Sequence, residues 1–271
     1  YVKTTQDASA LFFGGYTKAP KDRSDQTLKE MPNNTQFIIF TLPNEIKYQE
    51  SGLTGRHNHK MLYTANNKLF VIGGTPDSDN MYVYDNNKEG EELGWKRINA
   101  PNLNRTGHVA VEYKDHIYVY GGNNKDDIYK LSTIDYTGET LTSSSSEKPI
   151  PRQDATAAVY KNKLYIFGGK KGHGDYLSDL WTFDLETCAW EKKAELEFKK
   201  SAHESILFGN ELIIIGGKPT TSSISINLDT FEVNQIKDFG NAHFAINDFS
   251  LVLDTDMGNL IVYGGLEADS K

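Results

Sequence analysis

The sequence predicts an all-β fold made of six similar repeats, each a four-stranded antiparallel sheet. Three observations predict it. Glycine doublets recur at Gly14-Gly15, Gly73-Gly74, Gly121-Gly122, Gly168-Gly169, Gly216-Gly217 and Gly264-Gly265, nearly evenly after the first interval. Each doublet follows a short apolar run, such as Leu69-Phe70-Val71-Ile72 or Leu212-Ile213-Ile214-Ile215, which reads as a strand closed by a turn signal. No stretch of about 12 residues or more carries a helical apolar stripe.

The strands within one repeat follow in order. A first strand comes before the apolar run, across a tight turn: Ala65-Asn66-Asn67-Lys68, Lys114-Asp115, Lys161-Asn162-Lys163 and Phe208-Gly209-Asn210. The run before the doublet is the second strand. A polar loop leads to the third, seen in Met81 to Asp85, Ile128 to Leu131, Leu180 to Asp184 and Ile224 to Asn227. The fourth is marked by Trp95 and Trp190 in two repeats. Asp184-Leu185-Glu186-Thr187 and Asn227-Leu228-Asp229-Thr230 match as turns between third and fourth strands. Asp, Asn and Thr suit them because their side chains bond nearby backbone groups. Four strands in about 48 residues make one propeller blade. The doublet permits positive φ and close backbone approach, and the aromatics fill the space between blades.

Composition excludes other classes. The 271 residues include 38 % hydrophobic and 11 % aromatic side chains, enough for a sizeable core. No apolar run approaches the roughly 18 residues that span a bilayer. The net charge of −8 argues against phosphate-backbone binding, so no nucleic acid is expected as a partner. A single cysteine, Cys188, excludes an internal disulfide framework and a multi-cysteine zinc site. That fits a reducing compartment, and the expected location is cytoplasmic, with the nucleus also open.

The doublets, the Tyr or Phe of the third strand and the later Trp together resemble the Kelch repeat family. Phe183 and Trp190 stand at the family's spacing. The resemblance runs from about Val2 to Gly265, nearly the whole chain. Departures are local. The first repeat lacks the Trp and has a longer loop, the third ends in Leu141 to Ser146 without an aromatic, and the fifth has Val233 where Trp is expected. The resemblance implies one domain over 1–271, a six-bladed Kelch-type β-propeller of four-stranded antiparallel blades. Its last blade is incomplete, because only Leu266 to Lys271 follow the sixth doublet. The first strand of the first repeat is expected at Val2 to Thr5. The chain reads as a piece of a longer protein.

Propeller function sits in loops on one face near the axis. The turns leading into the first strands share a pattern: Arg56-His57-Asn58-His59, Arg105-Thr106-Gly107-His108, Arg152-Gln153-Asp154-Ala155, Lys200-Ser201-Ala202-His203 and Gly240-Asn241-Ala242-His243. In Kelch substrate adaptors of ubiquitin ligases, Arg and polar residues at this position line a shallow pocket that grips acidic peptides. The resemblance carries that role to Arg56, Arg105 and Arg152, with His57, Asn58, Thr106, Gln153, Ser201 and Asn241 as polar neighbours. A guanidinium fork suits a carboxylate. Lys200 and Gly240 break the row. The residues alone leave another reading equally open, in which the arginines pair with acidic residues of adjacent blades and support the fold.

Other constellations carry less. His59, His108, His203 and His243 hold equivalent positions in their repeats. A six-fold ring spaces them too widely for metal–nitrogen bonds of about 2 Å, so no metal site and no cofactor are expected. A copper oxidase on a related propeller needs a Cys–Tyr crosslink with two His, and Cys188 sits in an outer turn. Asp79, Asp127 and Asp179 read as turn formers before third strands. The lysines Lys161, Lys163, Lys170, Lys171, Lys192, Lys193, Lys199 and Lys200 read as a solvated face sooner than a docking patch. The loop Tyr16 to Asn34 is long enough to overhang the face. No phosphate loop, dinucleotide fingerprint, His-Glu-x-x-His or nucleophile elbow occurs. The expected function is a noncatalytic domain that binds a peptide or loop of an unidentified protein partner, an acidic one if the arginines form the pocket. The alternatives are an enzyme on the same scaffold, a sugar mutarotase or copper oxidase, and a targeting domain of a larger catalytic protein such as a phosphatase.

Overall fold

A computed structural model describes residues 9–13, 36–41, 45–50, 53–88, 94–236, 246–254 and 259–267. All regular structure among them is β-strand except one 3-10 turn, Pro101–Leu103. Every sheet pairing among them is antiparallel. The chain divides into two compact units, Tyr1–Thr106 and Gly107–Lys271.

The first unit holds two sheets. Blade 1 has three strands, Ser9–Phe13, Gln36–Thr41 and Glu45–Glu50, in that order across the sheet. Phe13 runs into the first doublet, so these are the second, third and fourth strands of its repeat. The first strand expected at Val2 to Thr5 lies outside the described residues, as does the Tyr16 to Asn34 loop. Blade 2 has all four strands: His57–Tyr63, Lys68–Thr75, Asn80–Asp85 and Trp95–Asn99.

The second unit holds four blade sheets and two small two-stranded pairings, Lys170–Gly172 with Asp175–Tyr176 and Lys200–Ser201 with Lys218–Pro219. Blade 3 comprises Val109–Tyr113, His116–Tyr120, Ile128–Ser132 and Gly138–Leu141. Blade 4 comprises Thr156–Tyr160, Lys163–Phe167, Asp179–Asp184 and Trp190–Glu195. Blade 5 comprises Glu204–Phe208, Glu211–Ile215, Ser223–Asn227 and Val233–Ile236. Blade 6 has two strands among the described residues, Ile246–Asp254 and Asn259–Glu267. The first strands of blades 3, 4, 5 and 6 lie side by side in sequence order, as blades of a propeller do.

Alternation sends one set of side chains from each blade forward and the other back. Tyr118, Tyr120 and Ile128 of blade 3 meet Leu164, Ile166, Trp181, Phe183 and Trp190 of blade 4 in one buried cluster. Trp190 is its centre, with ring centroids 5.3 Å from Tyr120 and 4.9 Å from Phe183. Tyr165, Phe167 and Leu180 of blade 4 meet Leu212, Ile214 and Ile226 of blade 5 in the next. Burying a side chain of this size contributes about 1.5–3 kcal/mol each. Blade 3 ends without an aromatic, and Ser145 takes over the join. Its Oγ accepts from the Trp190 N–H at 2.8 Å and donates to the Trp190 carbonyl at 3.1 Å.

The doublets stitch blades together through the backbone. The second glycine donates to the carbonyl of the next blade's lead-in cation: Gly74 to Arg105 at 2.8 Å, Gly122 to Arg152 at 2.9 Å and Gly169 to Lys200 at 2.7 Å. Gly169 also explains why glycine is required. Its φ is +94°, and a Cβ there would lie 2.7 Å from the Gln153 carbonyl oxygen.

Candidate functional site

The lead-in turns form the best-defined repeated constellation in the structure. Each has a buried first residue and a third residue with positive φ: Asn58 at 54°, Gly107 at 67°, Asp154 at 54° and Ala202 at 53°. Gly217 donates to the Ile246 carbonyl at 2.9 Å, and Asp248 has φ 55°. The lead-in of blade 6 is therefore Ile246-Asn247-Asp248-Phe249, which corrects the alignment on Gly240-Asn241-Ala242-His243. Asn241 and His243 lie outside the described residues. In the second unit the third residues form a chain of backbone hydrogen bonds, Asp154 to Gly107 at 2.8 Å, Ala202 to Asp154 at 3.0 Å and Asp248 to Ala202 at 3.1 Å.

The structure does not present the three arginines on a surface. Arg56, Arg105 and Arg152 are 0, 1 and 2 % exposed. Arg152 uses its whole fork inside blade 4. Its two terminal nitrogens donate to Asp179 at 2.6 and 2.8 Å, one also donates to the Gly168 carbonyl at 2.9 Å, and Nε donates to Ile150 O at 3.1 Å. Burial pushes Asp179 toward the neutral acid, but the hydrogen bonds and charge of Arg152 outweigh it and hold the carboxyl below its usual range. Trp181 Nε1 adds a donor at 2.7 Å.

Arg56 repeats the arrangement in blade 2. It donates to the Gly73 carbonyl at 2.9 Å and to Asp77 at 3.2 Å, with its guanidinium 4.8 Å from the Tyr82 ring centre. Burial lowers its affinity for the proton against the opposing pull of Tyr82 and Asp77. Asp77 in turn accepts from the Tyr82 hydroxyl at 2.6 Å and Asn80 at 2.7 Å, and these bonds overcome burial and lower its pKa. The Arg105 Nε donates to Asn102 O at 3.2 Å. The reason for burial is common to the well-defined cases: the side chain folds back under its turn to reach the first glycine's carbonyl. The acidic partner comes from the same blade, not from a neighbour. Asp179 is thus more than a turn former, and in blade 2 the partner is Asp77, not Asp79.

Lys200 takes the same place in blade 5, with no carboxylate beside it among the described residues. Its Nζ donates to Gly216 O at 3.0 Å and Thr220 O at 2.9 Å. Burial lowers its pKa to about 8. Ile246 ends the series.

The residues that do face outward are the next ones. Asn58 is exposed, while His57, Thr106 and Gln153 are half-buried. Ser201 is buried, so it stands apart from the surface set. In the second unit Asp154 pairs with Lys170 at 2.7 Å and Asp248 with Lys218 at 2.9 Å. A small hairpin, Lys170–Gly172 with Asp175–Tyr176, rises beside Gln153, which bridges to Lys170. This end is polar and charge-balanced.

The remaining constellations resolve as follows. Among the described residues no three metal-ligating side chains gather. His108 and His203 are buried, and Ala155 and Phe249 fill the same position in blades 4 and 6. His203 packs edge-on to Phe167 at 5.6 Å. The position is a packing niche beside the second glycine. The lysine run is largely neutralised: Lys161 pairs with Asp229, Lys163 with Asp184, Lys192 with Glu195 and Lys193 with Glu191. Cys188 is half-buried and packs against the cluster between blades 3 and 4.

Comparison with known proteins agrees with this architecture. The KLHDC2/KLHL20/DRC7 Kelch-repeats domain model matches residues 3–217. Human host cell factor 2 is 30 % identical over 155 residues, covering 45 % of this chain and 19 % of that protein. Human Kelch repeat and BTB domain-containing protein 8 is 25 % identical over 217 residues, covering 78 % and 34 %. Acyl-CoA-binding domain-containing protein 4 of Arabidopsis thaliana is 24 % identical over 226 residues, covering 75 % and 33 %. The chain spans about a third or less of the length of these three relatives. With the family model covering most of the chain and the blades carrying the repeat's glycines and aromatics, the chain belongs to the Kelch-repeat family.

Proposed function

We propose that the chain is a noncatalytic protein-interaction module, and that it recognises a protein partner with the outward residues of its lead-in turns and the loops after its glycine doublets. One observation carries this reading. The turns share a fixed frame, made of a buried first residue, a positive-φ third residue and a backbone bond to the neighbouring blade, yet their outward residues differ from blade to blade. Asp154, Ala202 and Asp248 occupy one position in the second unit. A rigid frame with variable outward chemistry suits recognition, because little order is lost on binding. The buried arginines serve this face by fixing the turns, not by touching the partner. The charge-balanced surface favours a partner of mixed polarity over a strongly acidic peptide.

The test is capture of partners by the intact protein and two sets of variants. Gln153→Ala with Lys171→Ala and Asp248→Ala alters the proposed face. Glu139→Ala with Glu191→Ala alters exposed outer strands. Partners lost from the first set and kept by the second support the reading, and the opposite pattern contradicts it.

A further inference from the structure

Blade 5 repeats the cation strut of blade 2 with its acid replaced by a hydroxyl. The loops that follow the two doublets start alike, Gly73-Gly74-Thr75-Pro76-Asp77 and Gly216-Gly217-Lys218-Pro219-Thr220. The lead-in cations reach the same two carbonyls of these loops. Arg56 donates to Gly73 O at 2.9 Å and to Asp77 O at 3.2 Å. Lys200 donates to Gly216 O at 3.0 Å and to Thr220 O at 2.9 Å. Thr220 therefore holds the position of Asp77. In blade 2 that position also supplies the counter-charge, since the Asp77 carboxylate accepts from Arg56 at 3.2 Å. Arg56 is fully buried there and the Asp77 side chain is 21 % exposed, so an acid at this position reaches a buried cation from the surface.

The other donor beside the acid is kept as well. Asn80 donates to Asp77 at 2.7 Å. Val71 faces Tyr82 and Ile214 faces Ile224, and two residues before these partners stand Asn80 and Ser222. Ser222 Oγ lies 3.3 Å from Thr220 Oγ1. The Tyr82 hydroxyl, which also donates to Asp77, has no counterpart on Ile224. Lys200 is left buried against two carbonyls, with no carboxylate beside it among the described residues. Burial alone acts on its proton affinity. A charge taken out of water without a counter-charge is costly. Thr220 is exposed, Thr221 and Ser222 are half-buried and Ser223 is buried, so Thr220 is the most accessible of four successive hydroxyls.

We propose that Thr220 is a phosphorylation site, and that its phosphate takes the place of the Asp77 carboxylate beside Lys200. A phosphothreonine reaches further than an aspartate, which suits a lysine that is shorter than the arginine of blade 2. Lys200 Nζ and Ser222 Oγ are the donors that meet it. A phosphate set beside a desolvated cation makes charge-assisted hydrogen bonds and orders the loop that carries it. The step uses a nucleoside triphosphate and a protein kinase. A bond forms between Thr220 Oγ1 and the γ-phosphorus, the bond from that phosphorus to the β-phosphate oxygen breaks, the nucleoside diphosphate leaves, and the hydroxyl proton passes to the base of the kinase. Phosphorylation thereby completes in blade 5 the strut that Asp77 completes in blade 2.

Two measurements test this. Protein isolated from its own cells with phosphatases inhibited is digested, and its phosphopeptides are mapped by mass spectrometry. Phosphate on Thr220 is the expected result, and a Lys218 to Ser223 loop that carries none there overturns the proposal. Phosphothreonine is also built in at position 220, and urea unfolding is followed with Lys200 present and with Lys200→Met, a change toward the apolar Ile246 that blade 6 carries in this place. With Lys200 present the phosphate should lower the unfolding constant at least about tenfold, as hydrogen bonds between charged groups do. In the Lys200→Met chain the effect should fall below about twofold, because the two groups are coupled. No gain with Lys200 present, or equal gains in both chains, overturns the pairing. Phosphothreonine at position 221 gives the same contrast without altering Lys200: a gain as large as that at 220 counts against the proposal.

Discussion

Arg152 shows why a cation in a predicted binding row need not touch a ligand. Its charge is held by a bidentate carboxylate at 2.6 and 2.8 Å, and both groups are buried. Removing one partner of such a pair costs about 3–5 kcal/mol, because the other is left charged and unpaired. Asp179→Ala is expected to lose that much stability in urea unfolding. The pair is also sensitive to acid. Asp179 is lowered in the folded chain, so its contribution is present above the ordinary carboxyl range and is lost as pH falls through the folded value. Lys200 acts in the alkaline range, and there too stability rises with pH. It releases its proton near pH 8 when folded, because burial disfavours the charge, and near 10.4 when unfolded. Between those values the unfolded chain holds more protons, so stability rises with pH, by about 2 kcal/mol from pH 8 to pH 10. Lys200→Met should abolish that rise, and unfolding curves across this range check it.

At the scale of the strand and turn, the glycine doublet and Trp190 are the determinants. Gly169→Ala puts a Cβ 2.7 Å from the Gln153 carbonyl at a φ of +94°. The left-handed penalty alone is about 1–2 kcal/mol, and the clash adds to it. Trp190→Ala empties the centre of the cluster between blades 3 and 4 and should cost about 3–5 kcal/mol. Differential scanning calorimetry reads both as lowered melting temperatures. Strand positions were legible in the sequence because each second strand is an apolar run ended by a doublet, and Trp95 and Trp190 do open fourth strands. The lead-in of blade 6 was legible by spacing, since Arg56, Arg105, Arg152, Lys200 and Ile246 stand 49, 47, 48 and 46 residues apart while Gly240 stands 40 after Lys200; aligning His243 with His203 drew the register away from it. Residue chemistry does not decide it: Asn58, Gly107, Asp154 and Asp248 are types that tolerate positive φ, but Ala202 holds 53° at the same position.

For the molecule as a whole, periodicity reveals the blades, while the direction of a side chain is set by its partners. The arginine row was visible as a pattern of charge. Its burial was not, because the acids that receive it, Asp77 in the loop before a third strand and Asp179 opening one, follow their arginines at different distances, 21 and 27 residues. A lead-in cation followed by an acid just before or at the start of the third strand, as in blades 2 and 4, is the signal that distinguishes a strut from a ligand clamp, and blade 5 shows what remains without the acid. On the proposed reading, recognition is assigned to the outward residues of the turns. Gln153→Ala is expected to leave stability within about 0.5 kcal/mol, as surface substitutions do, while weakening partner capture.

The central claim is that the lead-in cations are internal struts. Equilibrium urea unfolding of Arg152→Met, Asp179→Leu and the double variant tests it most directly. The account predicts a loss of about 3–5 kcal/mol for each single variant, with the double variant recovering a large part of it because neither charge is left alone. An Arg152→Met protein as stable as the parent, with additive effects in the double variant, would contradict it.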